Sequence, residues 1–263
     1  MDVYWLEQTE ADVPTENQWL SAREMLCLCS MRFAKRRADW RLGRWTAKRA
    51  LAARLNLSSD LTDLANIEIL AAPSGAPHVF VFDQPSPVTI SISHRAGTAL
   101  CTVALSQARI GCDLEIIEPR NDAFISDYFT VSERVLLERA RVEERPLLVT
   151  LLWSAKESAL KALHVGLRFD TNCIDVSFAD ALPTHSEQCR QKLHLFPLLA
   201  ADLYKWRCFH ACYSGTHVFH GWWRHANHMV RTIVSDPCDV QVYRCDQYDQ
   251  SREMTRAAQW SKY

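Results

Sequence analysis

A polar, proline-containing link, Glu118-Pro119-Arg120-Asn121-Asp122, separates two stretches that repeat one order of signals, helix first and strands after. In the first stretch, residues 15–57 read mainly as helix. Ala71-Ala72-Pro73-Ser74-Gly75-Ala76-Pro77 is a turn, Val88–Ile92 and Ala99–Leu105 read as paired strands, and Arg109–Ile117 as a third. In the second, Thr130 or Ser132 caps a segment running to Arg141, and Leu147–Leu163 is long, apolar on one face and free of Gly and Pro. Strands return over Asn172–Phe178, Trp206–Tyr213 and His217–Trp223. Helices followed by antiparallel strands, twice over, predict an α+β protein rather than an alternating parallel sheet. The division expected is residues 1–118 and 119–263.

Composition narrows the function classes. The seven glycines have no spacing that makes a dinucleotide fingerprint, a P-loop or a nucleophile elbow. With 30 Lys and Arg against 31 Asp and Glu the net charge is −1, so no global field draws the chain to nucleic acid or an anionic membrane. Ten cysteines without a small-domain framework fit reduced thiols, and the N-terminus has neither a basic leader nor a long apolar run. A cytoplasmic protein is expected, with neither nucleic acid nor membrane as partner.

The sharpest chemical signal is Ile110-Gly111-Cys112-Asp113-Leu114-Glu115-Ile116. On a strand, residues two apart share a face with Cα atoms about 6.6 Å apart, so Asp113 and Glu115 aim two carboxylates at one point. A hard divalent cation such as Mg²⁺ removes their repulsion; two solvated acids at a strand end are the plainer reading. The second signal is Trp153-Ser154-Ala155-Lys156-Glu157-Ser158-Ala159-Leu160-Lys161. On a helix Trp153, Glu157 and Lys161 follow each other at i+4 steps along one face; a surface Glu–Lys pair is the plainer reading here. Together, three carboxylates and a lysine compose a metal-and-phosphate site.

The two segments resemble the paired signatures of 4′-phosphopantetheinyl transferases, and the chain length resembles the monomeric, two-half Sfp-type members of that superfamily. Arg41–Ala50, Gly75-Ala76-Pro77, Ser91-Ile92-Ser93-His94 and Gly166-Leu167 also look like family segments in the expected order. The resemblance implies two similar α+β halves, a pseudo-dimeric fold with the active site between them. It implies that Asp113, Glu115 and Glu157 hold Mg²⁺, that Lys161 lies near the phosphates with Lys156 as a second cation, and that Ser93 and His94 meet the 3′-phosphate of coenzyme A. The implied reaction moves the phosphopantetheine arm from coenzyme A to a serine of an acyl- or peptidyl-carrier protein, with Asp113, Glu157 and Lys161 as catalytic residues. Glu157, or a water beside it, is the candidate base. A metal-dependent phosphodiesterase and a non-catalytic coenzyme-A-binding protein are the alternatives.

The sequence departs from the family in two places. Gly75-Ala76-Pro77 lacks the lysine often found at its centre, and Glu24–Ser30 has no basic pair. Residues 32–54 hold nine basic residues and one acid, Asp39, and Arg37, Arg41, Arg44 and Lys48 fall on one stripe. Arg41, Arg44 and Lys48 are therefore expected to face coenzyme A. The carrier is expected to dock near the start of the second half, on Phe124, Tyr128, Phe129, Leu136 and Leu137 with Arg134, Arg139 and Arg141 around them. Cys208, His210 and Cys212 alternate as on a strand, which puts the two cysteines too far apart for one zinc ion.

Overall fold

A computed structural model describes residues 2–106, 108–165, 169–178, 205–215, 217–236 and 240–245. Gly166-Leu167 lies outside the described residues. The first part of the chain runs β1 (Asp2–Thr9), α1 (Ala22–Ser30), α2 (Ala34–Leu55), α3 (Leu61–Leu64), β2 (Ile67–Ala71), β3 (Pro77–Val81), β4 (Gln84–Pro85), β5 (Thr89–Arg95) and β6 (Thr98–Ala104). The second runs β7 (Arg109–Ile116), α4 (Asp122–Tyr128), α5 (Val131–Arg139), α6 (Arg145–Ala162), β8 (Ile174–Ser177), β9 (Arg207–Tyr213), β10 (His217–Ala226), β11 (Met229–Asp236) and β12 (Gln241–Arg244). The protein is α+β.

Two larger sheets carry the architecture, in the orders β12-β1-β6-β5 and β7-β11-β10-β9-β8; β2, β3 and β4 form a third, small one. The long helix α2 packs its buried side, including Leu42, Ala47 and Leu51, on the first sheet, and α6 packs Leu148, Leu152 and Ala159 on the second. The two sheets bury Val3, Trp5, Leu100, Ile110, Leu114 and Ile233 in a core they share. β7 pairs antiparallel with β11, while β12, from the far end of the chain, pairs parallel with β1. The division into sheets thus differs from a cut at residue 118.

The repeat seen in the sequence has a counterpart in detail. Ser21 and Thr130 each open a helix with a capping box whose third helical residue is a glutamate, Glu24 in α1 and Glu133 in α5. Both glutamates are buried, and each meets a lysine from the long helix that follows. Lys48 Nζ lies 2.5 Å from Glu24 and Lys156 Nζ 2.7 Å from Glu133. Each ammonium also donates to two backbone carbonyls, Trp19 and Leu64 for Lys48, Thr171 and Ile174 for Lys156. Glu24 accepts from the Ile69 amide and Glu133 from the Val176 amide, tying each helix to its strand. A buried ion pair persists when its remaining hydrogen-bonding capacity is satisfied in this way.

Candidate active site

β5 and β7 are the facing edges of the two sheets, and side chains bridge them. The Cys112 amide donates to Ser91 Oγ (3.0 Å), and Ser93 Oγ donates to Asp113 Oδ1 (2.9 Å). α6 crosses behind β7 in close contact, which Gly111 permits: a Cβ there would stand 1.9 Å from the Ser158 carbonyl oxygen. That approach brings Glu157 and Lys161 to the carboxylates of β7. Lys161 Nζ donates to Asp113 Oδ1 (2.8 Å) and to the Cys112 carbonyl (3.0 Å), and Trp153 Nε1 reaches Glu115 Oε1 at 3.4 Å. The structure therefore brings together Asp113, Glu115, Glu157, Lys161 and Ser93.

The electrostatics of the cluster follow from its burial. Glu157 is pushed up to about 7, first by desolvation and then by Asp113 and Glu115, with Lys161 opposing. Glu115 is raised by burial and by Asp113, against Arg95 and the Trp153 hydrogen bond. Burial works against the charge of Lys161, but the negative groups around it, Asp113 foremost, together outweigh this and raise its pKa.

Among the described residues no three His, Cys, Asp or Glu side chains stand in a ready-made metal-holding arrangement. Two basic groups pair with these acids: Lys161 holds Asp113, and Arg95 Nε lies 3.4 Å from Glu115 Oε2. Each carboxylate nevertheless keeps one buried oxygen without a hydrogen-bond partner: Asp113 Oδ2, Glu115 Oε2 and Glu157 Oε1. Three such oxygens on mutually repelling carboxylates fit a hard divalent cation, which takes oxygen ligands and cancels the repulsion.

Beside the cluster opens a cleft of about 410 Å³ between α2, β5, the turn before β3 and the end of α6. Asp39, Trp40 and Arg44 of α2, Ser91 and His94 of β5 and Gly75–Pro77 line it, together with His164 and with Lys161, which holds Asp113. Gly43 lets α2 come close to β5, since a Cβ there would touch Ile92 at 3.3 Å. Burial lowers the His94 pKa, Asp39 pulling the other way. A second hollow of about 440 Å³ shares Trp40, Arg44 and Ala71 with the cleft and adds Arg32 and Arg36.

Four expected ligand contacts are placed elsewhere: Ser93 gives its hydroxyl to Asp113 and does not line the cleft. Lys48 and Lys156 are fully buried in their glutamate pairs, away from the cleft; each lies on the stripe of its helix that runs into the core. Arg41 turns its guanidinium to the carbonyls of Pro14 and Thr15. Of the expected docking patch, Phe129 and Leu137 are core residues; Tyr128, Arg139 and Arg141 are exposed, and Phe124, Leu136 and Arg134 are half-buried. Val131 and Val135 are the exposed apolar groups of α5 instead. Arg32, Arg36, Trp40, Arg95 and His164 were not singled out by motif. The run of basic residues was the signal for Arg32 and Arg36; for His164, which follows α6 in a left-handed conformation, there was none.

A family model for the 4′-phosphopantetheinyl transferase superfamily matches residues 109–207, which take in both β7 and α6. The 4′-phosphopantetheinyl transferase AcpT of Salmonella typhimurium is 27% identical over 128 residues, 48% of this chain and 58% of that one. The enterobactin synthase component D of Salmonella austin is 33% identical over 119 residues, 45% of this chain and 48% of its own length. The chain thus spans about half the length of the curated relatives it matches. The holo-[acyl-carrier-protein] synthase of Helicobacter pylori, solved with coenzyme A, aligns over 40% of this chain and 99% of its own, at 20% identity and a TM-score of 0.32. Residues 109–207, which carry the carboxylate strand and the glutamate–lysine helix, are thus similar to the 4′-phosphopantetheinyl transferase superfamily.

Proposed function

We propose that the protein transfers the 4′-phosphopantetheine arm of coenzyme A to a serine hydroxyl of an acyl- or peptidyl-carrier protein, as an Sfp-type enzyme acting as a monomer. The observation that carries this reading is one oxygen on each of Asp113, Glu115 and Glu157, buried and without a hydrogen-bond partner, beside Lys161 and a cleft of nucleotide size. Those three residues would hold Mg²⁺, which when bound neutralises the pyrophosphate oxygens of coenzyme A.

The adenosine end fits the cleft, stacked near Trp40 and facing the turn Gly75–Pro77, and the 3′-phosphate falls to His94 with Arg44, Arg36 and Arg32. This arginine group supplies the positive charge that Ala76 does not. Lys161, fixed on the Asp113 carboxylate, sits where it can stabilise the departing adenosine 3′,5′-bisphosphate. Glu157, or a water beside it, would accept the proton of the attacking serine hydroxyl. Positioning of the two reactants supplies much of the remaining rate. The carrier would approach from the side of α4 and α5, where Tyr128, Val131 and Val135 are exposed beside Arg139.

Release of adenosine 3′,5′-bisphosphate from coenzyme A tests the reading, measured with an apo-carrier protein and with the same carrier whose acceptor serine is replaced by alanine. Release that requires the serine supports transfer. Release at the same rate from both carriers indicates hydrolysis, the reaction of a metal-dependent phosphodiesterase.

A further inference from the structure

Arg95, the last residue of β5, sets its guanidinium between two carboxylates. Its Nε lies 3.4 Å from Glu115 Oε2 and its Nη2 3.6 Å from Glu118 Oε1. Neither contact is a close hydrogen bond, and Glu115 Oε2 is buried without one. Glu118 has a nearer cation, Arg120 Nη2 at 2.7 Å. Arg120 lies over the Phe124 ring (5.0 Å), Phe124 packs edge-on against Trp153 (5.1 Å), and Trp153 Nε1 points back at Glu115. The contacts form a closed ring: Glu115, Arg95, Glu118, Arg120, Phe124, Trp153. Within it Arg95 is the loosest member, 43% exposed and held at long range by both of its partners.

Electrostatics gives this guanidinium two alternative positions. Glu115 is crowded by Asp113 and draws a counter-ion strongly, whereas Glu118 is already neutralised by Arg120. A divalent cation on Glu115 and Asp113 brings two positive charges next to Arg95 and reverses that preference, because Glu118 then faces it with only the single charge of Arg120. We propose that Arg95 is an exchangeable counter-ion of Glu115, paired with it when no divalent cation is bound and transferred to Glu118 when one binds, so that Arg95 and Glu118 together set the affinity of the site. This rests on the reading that the three carboxylates hold a cation.

Titration calorimetry of Mg²⁺ and Mn²⁺ into the full chain separates the two ideas. Arg95→Gln should bind the ion about threefold tighter, because no pair has to be broken, and Glu118→Gln should bind it weaker by a similar factor, because Arg95 then has nowhere else to go. In the double variant the effect of Glu118→Gln should vanish. Long-range charge alone would make the two substitutions additive, so additivity overturns the inference, as does an Arg95→Gln protein that binds no tighter than wild type. If the wild-type chain binds neither ion, or Asp113→Ala binds them as well as wild type, the reading of the carboxylate site fails and this inference with it.

Discussion

Glu157 shows how environment makes chemistry from an ordinary side chain. Burial, with Asp113 and Glu115 nearby, raises it to about 7, so a proton occupies the carboxylate below that pH. A divalent cation must displace this proton, and cation affinity is therefore expected to weaken as pH falls below about 7 and to level off above it. Calorimetry in buffers of different ionisation enthalpy should find close to one proton released per ion at about pH 6 and close to none at about pH 8, the release at low pH disappearing in Glu157→Gln. Proton release that ignores pH would contradict the assignment. The sign for stability is opposite to that of a salt-bridged acid. The folded protein holds more protons than the unfolded chain between the ordinary glutamate pKa and about 7, so this group's contribution to stability falls as pH rises across that window. Lys161 and Lys156, five residues apart on α6, make a second contrast. Lys161→Ala should lower turnover and, by leaving buried Asp113 without its cation, also cost some stability, though less than loss of a fully buried lysine. Lys156→Ala should leave Glu133 buried without its cation and cost about 3 kcal/mol in urea unfolding, with no specific change in the Michaelis constant for coenzyme A.

At the scale of elements, the site depends on how closely α6 lies on β7. Gly111→Ala would drive a methyl into the Ser158 carbonyl, so the helix must shift and take Glu157 and Lys161 with it. An unfolding cost of about 3 kcal/mol is expected, together with loss of cation binding. Retention of both would show that the close approach is not what aligns the cluster. β7 and α6 were readable because each has a clean period: two carboxylates alternate with the buried Ile110, Cys112 and Leu114, and an 18-residue helix keeps its one proline, Pro146, in the first turn and has no breaker after it. Other elements carried no such mark. The helix read over residues 15–57 is two, α1 and α2, divided at Met31 and Phe33, which take extended backbone without a glycine or proline. The hairpin of β10 and β11 turns on Asn227 and His228, at φ 53° and 58°, where glycine would have announced it. β1 has no alternation to mark it: Val3, Tyr4 and Trp5 are consecutive and all buried. Lys48 and Lys156 looked like ligand-facing cations because their partners, Glu24 and Glu133, stand more than 20 residues away in sequence.

Across the whole molecule, the joint between the sheets holds the two sides of the site in register. Arg231 grips Glu7 with Nε and Nη2, at 2.5 and 2.7 Å, and donates to the carbonyls of Ala226 and Met229. It is 3% exposed, so Arg231→Ala leaves Glu7 without its closest cation and should cost about 3 kcal/mol. Since the cleft draws its walls from the first sheet's side and the carboxylates sit on the second, loosening the joint should weaken coenzyme A binding more than divalent-cation binding. An equal effect on both would mean that the joint does not set the geometry between cleft and cluster. The α+β class and the gathering of Asp113, Glu115, Glu157 and Lys161 were visible in sequence, one from the repeated order of elements and the other from the superfamily resemblance. The ring through Arg95 was not, because it joins residues from separate strands and helices that no local period connects; Arg36, Trp40 and Arg44 do share an i+4 stripe of α2, but nothing local tells which stripe of that basic helix lines the cleft.

The central claim is that this carboxylate cluster moves phosphopantetheine to a carrier protein, and the intact mass of an apo-carrier incubated with the protein, coenzyme A and Mg²⁺ tests it most directly. One phosphopantetheine added to the acceptor serine is predicted with the wild-type chain, and none with Asp113→Ala or with excess chelator. A carrier whose mass is unchanged by wild type across both acyl- and peptidyl-carrier substrates, or one modified equally well by Asp113→Ala, would contradict the account.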